Sequence, residues 1–277
     1  MSNLGTRFLT AVVFVAIMLA GVFYSPLSLF LLFLLINFGG IWEYQSLVDL
    51  YPINKHEKPR RERWTMGIIG TIVYVLIVAS YLRWIPLECM ALILPIISGL
   101  FLKELFAPKS KSPFIRVALN LMGPIYIAVP CALINLIANY NGTFEPNRLL
   151  GIFLVVWGND AAAYLVGRLI GKTALFPRIS PNKTWEGSIG GAIGGLMIAV
   201  ALPFVFPTDF GTNVWYCVAV VAILFGSLGD LVESMFKRSL GVKDSGNLLP
   251  GHGGILDRFD ALFFAVPFIY AVIVLFA

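Results

Sequence analysis

The sequence predicts an all-α integral membrane protein with about nine transmembrane helices. Of its 277 residues, 58% are hydrophobic and only 13% are charged, and the mean hydropathy is +0.86. Several apolar runs lack the polar face that a helix on the surface of a soluble domain needs. The Lys and Arg residues gather in alternate loops between these runs. This sorting indicates a membrane topology, so the net charge of +5 does not indicate a nucleic-acid partner.

A membrane span needs about 20 mainly apolar residues to cross roughly 30 Å of hydrocarbon. The run 86–102 is the weakest candidate, because it contains Glu88 and Pro95. The first run follows Arg7 but is long and has no cleavage site after it, so we interpret it as a retained span rather than a signal peptide. The predicted spans are 8–24, 27–48, 65–82, 86–102, 117–138, 150–170, 187–206, 214–233 and 259–277.

The positive charges test this arrangement, because nine spans place the loops alternately on two sides. The amino terminus and the loops 49–64, 103–116, 168–186 and 234–258 hold 18 of the 20 Lys and Arg residues. Only Arg83 and Arg148 fall on the other side. The asymmetry predicts a cytoplasmic amino terminus and an external carboxyl terminus. The basic segment 55–63 fits either a topology signal or a patch that binds anionic phospholipids.

The two halves of the chain differ in the polar residues within their spans. Residues 1–139 show no polar cluster there and are predicted to embed the protein in the membrane and to offer dimer contacts. Residues 140–277 are predicted to form a catalytic domain whose site faces the cytoplasm. Cys89, Cys131 and Cys217 lie far apart in apolar surroundings, so we interpret them as core residues rather than disulfide or metal partners.

Span six and the loop after it contain the first polar motifs. Asp160 is costly within a span unless it faces the protein interior or water, and Tyr164 lies on the same helix face. The loop contains Gly171-Lys172-Thr173 and Ser180-Pro181-Asn182-Lys183-Thr184-Trp185-Glu186-Gly187. We interpret the glycines that open span seven as helix-packing positions, which support a site without forming it; they are Gly187, Gly190, Gly191, Gly194 and Gly195.

Two pairs of carboxylates flank the last polar loop. Asp230 and Glu233 end span eight, and Asp257 and Asp260 repeat their three-residue spacing where span nine begins, so each pair lies on one helix face. A single acid there would be an ordinary helix N-terminal residue. That explanation does not account for both pairs together with the other polar residues of the same side, which are Asp160, Asp244, Lys172, Lys183, Lys237, Lys243 and Arg258.

The chemistry of this mixture points to phosphate transfer. Carboxylates without companion histidines or cysteines fit hard cations, Mg²⁺ first. Lys, Arg and the glycine-rich turn Pro250-Gly251-His252-Gly253-Gly254 fit phosphate oxygens. Together they predict phosphoryl or nucleotidyl transfer between a lipid and a soluble charged substrate. The sequence shows neither a catalytic triad nor a P-loop: His56 lies in the basic loop, His252 stands alone, and residues 167–172 lack the required spacing.

Four motifs resemble the signature of the phosphatidate cytidylyltransferases, also called CDP-diacylglycerol synthases. They are Ser234-x-x-Lys237-Arg238, Lys243-Asp244-x-Gly246, the turn 250–254 and Asp257-Arg258-x-Asp260. Three further segments resemble that family: Asp160-x-x-Ala163-Tyr164, Ser180-Pro181-x-Lys183-Thr184-x-Glu186-Gly187 and Gly229-Asp230-x-x-Glu233-Ser234. The resemblance covers about residues 150–260. Ala261 departs from it, because a small polar residue is expected after the last aspartate.

The resemblance implies transfer of CMP from CTP to phosphatidic acid, which gives CDP-diacylglycerol and pyrophosphate in phospholipid biosynthesis. It implies a requirement for Mg²⁺, with a second cation as an open question. It also implies a multi-pass protein of the inner, cytoplasmic membrane that works among membrane lipids and forms a homodimer. Nucleic acid is not an expected partner.

We assign roles to the residues on this basis. The predicted metal ligands are Asp230, Asp257, Asp260 and Glu233, with Asp230 and Asp257 as the principal pair. The predicted catalytic residues are Asp230, Asp257, Asp260, Lys237, Arg238 and His252. The predicted substrate-binding residues are Asp160, Lys172, Ser180, Asn182, Lys183, Lys243, Asp244, Gly253, Gly254 and Arg258. His252 would either protonate the departing pyrophosphate or only hydrogen-bond to it.

Other functions remain as alternatives. Acids within spans are also found in transporters, although this chain shows no internal repeat and its acids crowd one face of the membrane. A scaffold protein would not need such costly acids. Among enzymes, the alternatives are a cytidylyltransferase for prenyl or archaeal lipids and a lipid kinase that uses CTP.

Overall fold

The computed structural model describes residues 3–51, 59–107, 112–206, 210–246 and 253–277. This part of the chain is mostly helical, as the sequence predicts. The helices are α1 (Asn3–Phe23), α2 (Pro26–Val48), α3 (Pro59–Tyr81), α4 (Ile93–Leu105), α5 (Pro113–Gly123), α6 (Val129–Ala138), α7 (Asn147–Ile170), α8 (Trp185–Val205), α9 (Thr212–Ser239) and α10 (Leu256–Phe276). The strands are β1 (Ala174–Phe176) and β2 (Ser180–Thr184).

Seven helical segments of the described chain are long and apolar enough to cross a membrane, so a multi-pass membrane protein is confirmed. They are Pro26–Val48, Arg61–Tyr81, Pro113–Gly142, Asn147–Ile170, Trp185–Val205, Thr212–Ser239 and Leu256–Phe276. A shorter apolar stretch, Thr10–Phe23, belongs to α1. The total of nine spans and the orientation of the termini stay predictions.

The weakest predicted span, 86–102, is not one continuous helix. A 3₁₀ turn, Leu87–Leu92, follows Pro86 and leads into α4, which has 13 residues. Pro95 lies in the first turn of α4, where its missing N–H costs no hydrogen bond. The run therefore begins as a 3₁₀ helix after Pro86, and α4 itself is shorter than the roughly 20 residues of a full span.

The described chain forms two compact units. The first contains Met1–Gly142 and Asp244–Arg258, and the second contains Thr143–Lys243 and Phe259–Ala277. Helix α10 therefore begins in the first unit and continues in the second. The functional division into residues 1–139 and 140–277 stays a prediction.

In the first unit, α2 packs against α3 and α6. Ser25 caps α2 in a capping box with Ser28, and Pro26 follows at the first helical position, where proline is favoured. Asn135 of α6 donates to the Tyr74 hydroxyl of α3 at 3.0 Å, and that hydroxyl donates to the Phe30 carbonyl of α2 at 2.8 Å. These two hydrogen bonds join α2, α3 and α6 and give buried polar groups partners inside the protein, which a lipid environment favours.

In the second unit, the glycines of α8 lie at contacts with neighbouring helices. A Cβ added to Gly191 would lie 2.8 Å from both the Ala163 Cβ and the Asn159 carbonyl oxygen of α7. One added to Gly187 would lie 2.9 Å from the Ala163 carbonyl oxygen, and one added to Gly195 would lie 2.8 Å from the Ile223 side chain of α9. The interpretation of these glycines as packing positions is therefore confirmed.

The loop between α7 and α8 contains a short hairpin that the sequence did not predict. Strands β1 and β2 are antiparallel, with Ala174 opposite Thr184 and Phe176 opposite Ser180. The Thr184 hydroxyl then accepts the Gly187 N–H at 3.1 Å and caps α8. Strand β2 therefore leads directly into α8, and Lys183 lies next to the residue that caps this helix.

Candidate active site

Four acidic residues of the second unit, which we call the carboxylate cluster, lie near two lysines. The cluster consists of Asp160 of α7, Asp230 and Glu233 of α9, and Asp260 of α10. Asp230 is half-buried and forms an ion pair with Lys183 of β2. Its other carboxylate oxygen accepts the Ser234 hydroxyl at 3.4 Å. The hairpin thus brings a lysine to the acidic end of α9.

One turn further along α9, Glu233 and Lys237 form a second ion pair. Their charged atoms lie 2.6 Å apart, and their side chains are only 2% and 11% exposed. A buried pair of this kind is costly to break, because either partner alone would be an uncompensated charge. Lys237 therefore has a carboxylate partner within its own helix.

Asp160 and Asp260 complete the cluster by electrostatic proximity. Asp160 is repelled by Asp230 and attracted by Lys183, and Asp260 is repelled by Asp230 and by Glu233. Negative charges on these acids repel one another, and a cation bound among them would relieve that repulsion.

Asn159 and Gly229 help to place these acids. Asn159, only 3% exposed, donates to Asp160 at 3.2 Å and to the Ser227 hydroxyl at 3.3 Å, joining α7 to α9. Gly229 allows α10 to approach α9, since an added Cβ would lie 2.7 Å from the Asp260 carbonyl oxygen. Neither is among the predicted site residues, although both lie inside the motifs or beside them.

The remaining predicted residues of the second unit lie on the hairpin or at helix ends. Arg238 donates to the carbonyl oxygens of Ile179 at 3.4 Å and Val242 at 3.0 Å, so it ties the hairpin to the end of α9. Lys172 is exposed, and its N–H donates to the Glu186 carboxylate at 3.1 Å. Ser180 and Asn182 lie on β2 with Lys183, and Lys243 is exposed after α9.

Asp257 lies in the first unit, in the first turn of α10. Its carboxylate accepts the N–H of Gly254 at 2.8 Å and the N–H of Ser245 at 3.1 Å. Gly253 adopts a φ of +82°, and a Cβ there would lie 2.6 Å from the Asp257 Oδ2. The Gly253-Gly254 pair thus allows the backbone to close around this carboxylate.

Glu43 of α2 contacts the same part of the first unit and is absent from the predicted site. It is 4% exposed, and its Oε2 accepts the Leu256 N–H at 3.0 Å and the Ser245 hydroxyl at 3.4 Å. The signal that would have found it is an acid inside the predicted span 27–48, where a charge is costly.

Some predicted residues are not brought together by these contacts. Asp244 and Arg258 are exposed. His252, with Pro250 and Gly251, lies outside the described residues, so its role stays a prediction. Asp230 and Asp257, the predicted principal ligands, belong to different units, and their sharing of an ion also stays a prediction.

This chain is similar to a family of known proteins. The model of the cytidylyltransferase family matches residues 5–276. Phosphatidate cytidylyltransferases of Staphylococcus haemolyticus and Staphylococcus aureus are 57% identical over 121 residues and 46% identical over 162 residues. These alignments cover 43% and 57% of this chain. They span 46% and 60% of the curated relatives, about half of their length.

Proposed function

This chain belongs to the cytidylyltransferase family, and we propose that it transfers CMP from CTP to phosphatidic acid. The products are CDP-diacylglycerol and pyrophosphate. The relatives named above are phosphatidate cytidylyltransferases, which supports this choice of substrates. The observation that carries the proposal is the ion pair of Lys183 with Asp230 inside the carboxylate cluster. It joins two motifs by which the sequence resembles this family.

The reaction needs charge control more than proton transfer. The phosphate of phosphatidic acid is already anionic near neutral pH, so its oxygen needs no strong general base to attack the α-phosphorus of CTP. A bond forms between that oxygen and the α-phosphorus, and the bond from the α-phosphorus to the β-phosphate oxygen breaks. Negative charge accumulates on pyrophosphate, so cationic groups must lie near both substrates.

The chain's own residues supply part of that charge and hold the acids in fixed orientations. The Lys183 side chain is 27% exposed, and its ammonium group contacts Asp230. We propose that the same ammonium group also contacts a phosphate oxygen of the substrate. Ser234 and Asn159 orient Asp230 and Asp160 through hydrogen bonds. Lys237, paired with Glu233, adds a second positive charge at the end of α9.

The carboxylate cluster offers the kind of donor atom that Mg²⁺ prefers. Mg²⁺ prefers oxygen ligands and takes one or two carboxylates, with water and substrate phosphates in the other positions. Within the described ranges, no group of three or more His, Cys, Asp and Glu side chains is arranged to hold a metal ion. We propose that Asp230 and Asp260 hold Mg²⁺, with Asp160 and Glu233 beside them. Asp257 and a second cation remain predictions from the sequence. When bound, Mg²⁺ would neutralise charge on the phosphates.

We further propose nine spans in the inner, cytoplasmic membrane, with the amino terminus and the site on the cytoplasmic side. The placement of 18 of the 20 Lys and Arg residues supports this orientation. CTP would then reach the site from the cytoplasm and phosphatidic acid from the bilayer. A homodimer is proposed from the family resemblance alone.

The test uses purified protein in detergent with phosphatidic acid, Mg²⁺ and [α-³²P]CTP, and follows label entering the lipid phase. Asp230→Asn is expected to lower the rate by about 10²–10³-fold, because a carboxylate at the reacting phosphates is lost. Glu145→Gln, which alters an acid of the same unit whose carboxylate accepts the Asn147 N–H, is the matched control and should stay near wild type. Asp257→Asn, measured beside them, tests the sequence-based assignment of that residue.

The position of the label separates the alternatives. Label from [γ-³²P]CTP in the lipid would indicate a kinase instead of a nucleotidyltransferase. Transfer from [α-³²P]CTP to a prenyl lipid but not to phosphatidic acid would change the acceptor. Failure to label any lipid would overturn the proposed reaction.

A further inference from the structure

We infer that Glu43 of α2 is a positioning residue for Asp257. It acts through residues 245–246 and 253–257, which we call the Asp257 segment. This gives an amino-terminal membrane helix a part in the chemistry, although it belongs to the half of the chain without a polar motif. The expected effect on catalysis rests on the proposed function, whereas the effect on the segment does not.

Hydrogen-bond donors from the Asp257 segment converge on the Glu43 carboxylate. Its Oε2 accepts the Leu256 N–H at 3.0 Å and the Ser245 hydroxyl at 3.4 Å, and the Ile255 N–H also interacts with the group. A carboxylate only accepts, whereas an amide would also present two donors to this surface. The local chemistry therefore favours Glu over Gln at this position.

The shape of the segment also depends on Glu43. A Cβ added to Gly246 would lie 2.8 Å from the Glu43 Oε1, and one added to Gly254 would collide with Oε2. Because neither glycine has a side chain, both leave room for the Glu43 carboxylate. Their close contacts also keep that carboxylate in one position. On α2, Gly39 lies one helical turn before Glu43, and a Cβ there would collide with the Ile255 side chain. Helix α2 therefore presents a glycine and an acid on the face that receives residues 255–256.

The same segment holds Asp257. Ser245 bonds Glu43 through its hydroxyl and Asp257 through its N–H. Gly254 packs on Glu43 and donates its N–H to Asp257 at 2.8 Å. Two residues thus lie between the two carboxylates and contact both. Moving Glu43 would displace the donors that orient Asp257. A residue that does not touch the substrate can affect a site residue in this way, through the hydrogen bonds that hold it.

Because Glu43 is buried, losing its contact with the Asp257 segment would be costly. Glu43 is 4% exposed, inside a helix that is apolar enough to cross a membrane. An acid there is costly unless donors compensate it, and the Asp257 segment supplies those donors. The buried carboxylate of Glu43 therefore depends on donors from the Asp257 segment, and those donors depend on Glu43 as their acceptor.

The experiment compares Glu43→Gln with Glu104→Gln. Glu104 of α4 is a matched control, because it lies in the same unit, is also 4% exposed, and is paired with Arg116 at 3.5 Å instead of with the segment. Amide hydrogen exchange is measured by mass spectrometry on peptides covering 243–258. The rate of lipid labelling from [α-³²P]CTP is measured on the same preparations.

Glu43→Gln is expected to speed exchange in peptides 243–258, while Glu104→Gln leaves it at the wild-type rate. It should lower kcat by about 10–100-fold with little change in KM for CTP. Equal effects of the two variants on exchange and kcat would reduce Glu43 to a general structural residue and overturn the inference. Exchange in Glu43→Gln at the wild-type rate would overturn it too.

The two readouts separate this inference from the proposed function. Faster exchange only in Glu43→Gln, with a wild type that labels no lipid, would support the positioning role and reject the reaction. A wild type that labels lipid, with a Glu43→Gln variant whose exchange and kcat equal those of the wild type, would support the reaction and reject the positioning role. If Glu43→Gln does not accumulate, Ser245→Ala replaces it, since this variant removes one donor to Glu43 and keeps the N–H on Asp257. Unchanged exchange in Ser245→Ala would then overturn the inference.

Discussion

Lys183 of β2 forms an ion pair with Asp230 of α9, and these two residues come from separate motifs of the sequence. The contact is possible because the β1–β2 hairpin ends at Thr184, the cap of α8, so that Lys183 lies immediately before a membrane helix. The Lys183 ammonium and the Asp230 carboxylate are therefore held next to each other within the second unit.

Removing the Lys183 charge should impair activity more than stability. We expect Lys183→Met to lower kcat/KM by about 10²–10³-fold, because a cation near the phosphates is lost while the side-chain stem is kept. Lys183→Arg should retain part of the activity. Lys103→Met is the control, since Lys103 pairs with Glu62 at 2.7 Å in the first unit and is 37% exposed. If both methionine variants lose activity equally, the role assigned to Lys183 is wrong.

Gly253→Ala should disturb Asp257 beyond its backbone strain. The φ of +82° disfavours a side chain, and the new Cβ would lie 2.6 Å from the Asp257 carboxylate. Gly241→Ala is matched, because Gly241 has a φ of +71° with nothing within 4 Å of an added Cβ. Both variants should lose about 1–2 kcal/mol of stability from strain, but only Gly253→Ala should strongly lower kcat. Thermal unfolding and lipid labelling measure the two effects, and equal kcat values would contradict the prediction.

Gly191→Ala should destabilise the contact of α8 with α7. The added Cβ would lie 2.8 Å from Ala163 and from the Asn159 carbonyl oxygen, so the helices must separate, at a cost of about 1–3 kcal/mol. Gly99→Ala in α4 is the control, because an added Cβ meets nothing within 4 Å. It should match wild type or be slightly more stable, since alanine favours helix. Unfolding temperatures in detergent decide the point: a Gly191→Ala midpoint equal to that of Gly99→Ala would count against close packing.

Chelation should abolish lipid labelling, and added Mg²⁺ should restore it. The expected cause is loss of the ion from the carboxylate cluster, so far-ultraviolet circular dichroism should not change. Asp260→Asn should raise the Mg²⁺ concentration for half-maximal activity by at least about tenfold. Asp49→Asn, which alters an acid paired with Arg63 at 2.6 Å in the first unit, should leave it unchanged. Activity that survives EDTA, or a Mg²⁺ requirement equal in both variants, would contradict the metal assignment.

The sequence predicted the helical elements well where apolar runs are uninterrupted. Long runs such as those of α7 and α9 need no partner to be recognised, because their length and hydropathy are local properties. The run 86–102 is harder to predict, because it folds as a 3₁₀ helix, Leu87–Leu92, followed by the short α4 instead of one long helix. The hairpin β1–β2 was missed because strands of three and five residues give too little periodicity to detect.

The candidate site was predictable where motifs are dense and unpredictable where they are single residues. Asp160, Lys183, Asp230 and Asp260 come from four separate motifs, and all four residues lie in the second unit. Glu43 has no motif around it, and its partner Ser245 lies 202 residues away. Only tertiary structure reveals such a pairing, although an acid inside a predicted span was a usable signal.

The separation of Glu43 from its partners also bears on how the protein is made. The N–H that Glu43 accepts belongs to Leu256, 213 residues later in the chain. During synthesis α2 therefore enters the bilayer long before its donors exist, carrying an acid that the finished protein compensates. Completion of the first unit has to wait for the start of α10. A chain that stops before Leu256 leaves the Glu43 carboxylate in the membrane without these donors. This difference from the finished protein is a physical basis on which quality control can recognise a truncated product.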